Sequence, residues 1–91
     1  MKVFKKSDED RLDYFLDLSE WMPVNDEIES VELIYDKETA LNDYGYNFNS
    51  TGIRVWLGDG KAGEQYPIKV LAFTEGGRTK EINFLLVVTE Q

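Results

Sequence analysis

The groups in this chain that could do chemistry are mostly oxygen acids. Asp13 and Asp17, Glu27 and Glu29, and Asp36 and Glu38 are closely spaced carboxylates. Two carboxylates across a cleft can act as acid and base, or acid and nucleophile, as in glycosidases. Two denser clusters offer oxygen ligands of the kind calcium prefers: Asp8, Glu9, Asp10 and Asp13, and then Asp36, Glu38, Asn42 and Asp43. Neither contains the D-x-D-x-D-G pattern of a calcium loop. His and Cys are both absent, which removes Ser-His-Asp and Cys-His nucleophiles, the imidazole base, and the usual zinc and iron ligands. A chain of 91 residues has little room for a sugar cleft, and acids sit mostly on surfaces. These carboxylates are therefore expected to coat turns and solvent faces. No catalytic residue, metal ligand or cofactor site is assigned, and the protein is not expected to be an enzyme.

The elements that would position these side chains read as strands. Residues 53–57, 65–74 and 79–88 alternate apolar and polar positions, and glycine clusters separate them, a pattern predicting an antiparallel meander. Residues 11–18 place Leu12, Tyr14, Leu16 and Leu18 on one side, with a helix as competitor. Residues 27–36 give a second strand, 36–43 a connection with room for a helical turn, and 44–48 a short strand. Pro67 cannot donate a ladder bond, so it belongs at an edge, a strand start or a bulge. On the last strand, residues 84–88 are apolar on both sides, so that strand is central or covered by a partner. The fold class is all-β: a small antiparallel β-sandwich of about six or seven strands.

Length predicts one domain, residues 11–91, behind an extended polar leader, residues 1–10. The leader is either a frayed terminus or an arm that pairs with a partner through Phe4. Candidate partner-binding residues are Val3, Phe4, Lys5 and Lys6 in the leader, and Leu85 and Val87 on the last strand. The net charge of −8 opposes nucleic-acid binding, which needs a basic footprint. No apolar run approaches the ~20 residues of a membrane span. The leader lacks the apolar region of a signal peptide, and the absence of Cys suits a cytosolic birthplace.

Two stretches carry a resemblance. The first, residues 13–23, reads D-Y-x-x-D-x-S-x-W-M-P, from Asp13 and Tyr14 through Asp17, Ser19, Trp21, Met22 and Pro23. The second joins Val55-Trp56-Leu57 to Gly60-Lys61-Ala62-Gly63-Glu64-Gln65-Tyr66 and then Gly77-Arg78. Together they resemble a family of small virion proteins of tailed bacteriophages. The leader departs from that family's pattern in lacking a proline. The resemblance implies an immunoglobulin-like sandwich carried on the virion, assembled in the host cytoplasm, with no catalytic residues. It implies scaffold roles for Trp21 and Trp56 as core aromatics, Gly63 and Gly77 as turn formers, and Asp17 and Arg78 as structural polar groups.

The main functional expectation is a capsid decoration or cement protein on the outer head surface, bound to the phage major capsid protein or another virion protein. Acidity suits the outside of a shell packed with polyanionic DNA. Self-association around a symmetry axis would multiply weak contacts. One alternative is a neck or tail accessory domain of the same family. Another is a carbohydrate-binding module with Tyr44, Tyr46, Trp21 and Trp56 as a stacking platform.

Overall fold

The computed structural model describes residues 2–90. Seven strands run in chain order: β1 Lys2–Ser7, β2 Arg11–Asp17, β3 Ile28–Ile34, β4 Leu41–Phe48, β5 Gly52–Asp59, β6 Gln65–Thr74 and β7 Thr79–Thr89. They form two layers, a four-stranded sheet ordered β1-β7-β6-β3 and a three-stranded sheet ordered β2-β5-β4. The chain is thus an all-β sandwich. The orders β2-β5-β4 and β3-β6-β7 are those of the immunoglobulin arrangement, strands B-E-D and C-F-G.

Alternation builds the core. Val55 and Leu57 of β5, Ile68 and Val70 of β6, and Phe84, Leu86 and Val88 of β7 are all buried between the sheets. Each such side chain contributes about 1.5–3 kcal/mol on burial. Tyr14, Leu16 and Leu18 fill the same core from β2 and its end, so the strand reading of residues 11–18 holds and the helical one does not. β4 begins at Leu41, earlier than the pattern suggested, and Leu41 is fully buried rather than part of a connection.

Three differences from the expected layout have clear causes. First, residues 53–88 do not form a meander: β5 pairs with β2 and β4, whereas β6 pairs with β7 and β3. The loop after β5 crosses between the sheets. It is held by Gly60 N–H on the Ala40 carbonyl (3.1 Å), Lys61 N–H on the Tyr66 hydroxyl (2.8 Å) and Gly63 N–H on the Val88 carbonyl (2.8 Å). Gly60 and Gly63 both have positive φ, the conformation glycine adopts without penalty.

Second, residues 2–7 are not a leader outside the sandwich but its β1, pairing with β7 from Lys2↔Phe84 to Ser7↔Thr89. This pairing is parallel, the one departure from antiparallel order among the described residues. Third, Trp56 is not a core aromatic. Val55 and Leu57 are fully buried, so the intervening residue must face outward. Trp21 does pack against the core.

Pro67 sits three residues into β6, where β3 has already ended at the Ile34↔Lys69 pair. Thr74 N–H donates to the Arg78 carbonyl and Val88 N–H to the Glu64 carbonyl. Antiparallel alternation then gives the even residues of β6 to β7 and the odd ones to β3. The Pro67 nitrogen therefore points to the β3 side, where it has no proton to offer.

Candidate functional site

The acidic residues singled out in the sequence are dispersed, and several of them take structural roles. Asp13 pairs with Arg54 on the outer side of the three-stranded sheet. Asp17 accepts the Ser19 N–H (2.9 Å), which holds its carboxyl below the usual range and closes the turn after β2. In that turn the Leu18 carbonyl accepts from Trp21 and Met22 N–H, so the D-x-S-x-W-M motif is a chain reversal. Asp36 caps its own turn through the Glu38 N–H (3.0 Å). Among the described residues no three carboxylates converge as a cation site. Glu75 is raised, chiefly by the neighbouring charge of Glu27, with burial second.

Asp26, which the sequence reading passed over, is the most heavily bonded acid. Burial pushes its carboxyl up. Hydrogen bonds from Thr74, the Gly76 N–H, Arg78 and the Glu27 N–H outweigh this and bring it down to about 2. The Gly76 N–H and Arg78 guanidinium distances are 2.8 and 2.9 Å. Arg78 thus has the structural role the resemblance implied, tying the β6–β7 turn to the loop before β3.

Hydroxyls stitch the open sides of the sandwich. Tyr14 of β2 donates to the Lys5 carbonyl of β1 (3.4 Å), and Tyr46 of β4 donates to the Val31 carbonyl of β3 (3.1 Å). Tyr35, just past β3, bonds both the N–H and the carboxylate of Asp43 at the β4 bulge. These bonds occupy strand-edge groups that would otherwise be open to pairing.

The two outer faces differ in character. On the three-stranded sheet, side chains lie down on one another. The Tyr44 ring covers Gly58, carries the Arg11 guanidinium 3.5 Å from its centroid, and donates to Asp59 (2.6 Å). Phe15 lies on Gly52 and under Arg54. The four aromatics proposed as a sugar platform do not assemble. Tyr44 and Trp56 share this face, Tyr46 turns toward β3, and Trp21 packs on the core under Lys80.

On the four-stranded sheet the outward rows are set by register: Val3, Leu85 and Pro67 stand side by side, with Lys5, Val87 and Gln65 as the next row. Four of the six candidate partner-binding residues, Val3, Lys5, Leu85 and Val87, are therefore neighbours on one face. The other two point inward. Phe4 packs against Tyr14 and Phe84, with centroids 4.8 and 5.1 Å apart. Lys6 is 3% exposed and donates to the Ser7 carbonyl. Burial lowers its pKa, against the raising effect of Asp10, Asp59, Asp8 and Glu9. The residue types of the leader gave no sign of this split, which follows from the parallel register.

Beside that face, the chain leaving β3 diverges from β6 at Pro67. A hollow of about 280 Å3 opens there, lined by Ile34, Tyr35, Asp36, Pro67, Lys69 and Asn83, and a second of about 190 Å3 shares Tyr35, Asp36 and Pro67 with it. Sequence reasoning missed both, although Pro67 was its available signal.

What this arrangement can do is hold surfaces together. No curated protein matches the chain. A family described as Gp77, podophage GP4 fiber-tail adaptor protein gp77, matches residues 6–87. That span includes both stretches that carried the resemblance, and the chain belongs to this family of podophage adaptors, structural proteins of the virion.

Proposed function

We propose that the protein is an adaptor at the junction of a podophage tail and its fibers, holding one virion component to another. Membership of the fiber-tail adaptor family carries this reading. It favours the neck or tail alternative over the capsid decoration that the sequence led us to expect. The physical requirement for an adaptor is two separate contact surfaces on one stiff body. The sandwich offers one such surface in the apolar patch of Val3, Pro67, Leu85 and Val87 on its four-stranded sheet. Its extents are 43 × 22 × 21 Å, long enough to keep contacts at its two ends apart.

Particles assembled without the protein test this. They should carry tails that lack fibers, while their heads resist heat as well as those of intact particles. Copy number should follow ring symmetry, about six or twelve per particle. Fully fibered particles with heat-labile heads and hundreds of missing copies would instead establish the decoration reading.

A further inference from the structure

We propose that the outer face of β1, β7 and the start of β6 is a docking surface, and that its occupant is a virion protein presenting an apolar side chain beside a carboxylate. This rests on the adaptor reading and adds which face binds and what chemistry it meets.

Three observations single out this face. The outward positions of Val3, Leu85, Val87 and Pro67 are adjacent in register, forming one apolar patch with no layer above it. Val3 is 51% exposed, Pro67 is also exposed, and Leu85 and Val87 between them are half-buried. By contrast, the exposed aromatics on the outer face of the three-stranded sheet, Phe15 and Tyr44, each lie under an arginine, Arg54 and Arg11. A contiguous apolar patch with no layer and no cation above it marks an interaction site.

Charge narrows the partner. The chain carries −8, yet the cation within this patch, Lys5, makes no ion pair among the described residues. The next cation on the face, Lys69, is bonded to Glu81 at 3.5 Å. An unpaired lysine at the rim of an apolar patch is complementary to a carboxylate rimming an apolar anchor, and such pairs fix register and orientation. The hollow of about 280 Å3 borders the patch at Pro67. It is roomy enough for one large side chain, the kind of central pocket in which binding hot spots sit.

The test uses particles that carry the full-length protein. Val87→Arg places a charge within the patch, beside Lys5, and Asn47→Arg places one on the opposite sheet, with urea unfolding checking that both fold. Val87→Arg should lower the copies per particle by at least ~10-fold, while Asn47→Arg stays within about 2-fold of wild type. Lys5→Glu should also lower incorporation, and more so at low salt. Independently, a photo-crosslinking residue at position 87 in the otherwise wild-type chain should attach to a different virion protein through a segment containing Asp or Glu. Wild-type incorporation of folded Val87→Arg overturns the proposal. So does a crosslink only to a second copy, or no crosslink in particles that contain the chain. If the wild-type chain is missing from tails altogether, the adaptor reading itself has failed, and that result is distinct from the others.

Discussion

Tyr35 and Asp43 meet twice: the phenol donates to the Asp43 carboxylate at 2.7 Å and accepts the Asp43 backbone N–H at 3.1 Å. Tyr35 stands just beyond β3, and Asp43 at the point where the β4–β5 register shifts between Asp43 and Tyr46. One hydroxyl therefore closes an edge of one sheet with a residue from the other. Tyr35→Phe keeps the ring and removes both bonds. It should destabilise the protein by about 1–2 kcal/mol, lowering Tm by about 4–8 °C per kcal/mol. An unchanged Tm in a calorimetric scan would show that water satisfies Asp43 equally well.

Tyr14 makes the alkaline limit of the fold predictable. Burial, and then the charges of Asp10 and Asp13, push its hydroxyl from 10.0 up to about 12. Because the folded pKa lies above the unfolded one, the folded state holds a proton that the unfolded state gives up first. Its stabilising contribution is intact below pH 10 and is lost as pH rises toward 12. The urea midpoint should fall across that window in wild type and much less in Tyr14→Phe. Parallel declines in the two proteins would assign the loss to other groups.

Asp26 contributes to the acid limit with the opposite sign. Its folded pKa of about 2 lies below the ordinary 3.8, so the unfolded chain takes up the proton first. The contribution is complete above pH 3.8 and disappears as pH falls through 2. Asp26→Asn should weaken the protein at neutral pH, and the gap to wild type should close in acid. A gap that is constant from neutral pH down to pH 2 would refute the assignment.

Much of this organisation was legible in the sequence. Alternation located β2, β3 and β5 to β7 to within a few residues, because burial on one face imposes a period of about two. Alternation does not say which strand lies beside which. The glycine-rich loop after β5 looks the same whether it returns along one sheet or crosses to the other, so a meander was expected where a crossover exists. β1 was hidden for a related reason. Lys2, Lys5 and Lys6 read as solvated leader, yet Lys6 is enclosed and Phe4 is part of the core margin. Trp56 drew attention as a large aromatic, but its neighbours Val55 and Leu57 had already claimed the interior. Of the candidate partner residues, the register keeps Val3, Lys5, Leu85 and Val87 together and turns Phe4 and Lys6 away.

The crossover loop makes a paired prediction about glycine. Gly63 has φ +88 with nothing within 4 Å of an added Cβ. Gly60 has φ +85, and its added Cβ would lie 2.9 Å from Val88 Cγ2. Gly63→Ala should cost only backbone strain, about 1–2 kcal/mol. Gly60→Ala should cost that plus overpacking against the core, about 2–4 kcal/mol in total. Urea denaturation of the two variants orders them directly. Equal losses would mean that Val88 yields without penalty.

Pro67 offers a test of how the sheet edge is kept inert. Its nitrogen faces the β3 side, one position beyond the last β3–β6 pair, Ile34↔Lys69. With a donor there, the β6 edge would present Gln65 and residue 67 as a continuous pairing template. Proline removes that donor while fitting a site near a strand start, a recognised way of blunting an edge. Pro67→Val should cost the monomer only about 0.4–1 kcal/mol in urea unfolding, from the greater freedom of the unfolded chain, since no native hydrogen bond is gained or lost. The variant should nevertheless associate as concentration rises, visible as an increasing mass by light scattering. The same variant with Lys in place of Gln65 should return to monomer, because a charge at an open edge opposes pairing in the same way. A Pro67→Val protein that stays monomeric at every concentration would mean that the Tyr35–Asp36 wall, rather than the missing proton, protects this edge.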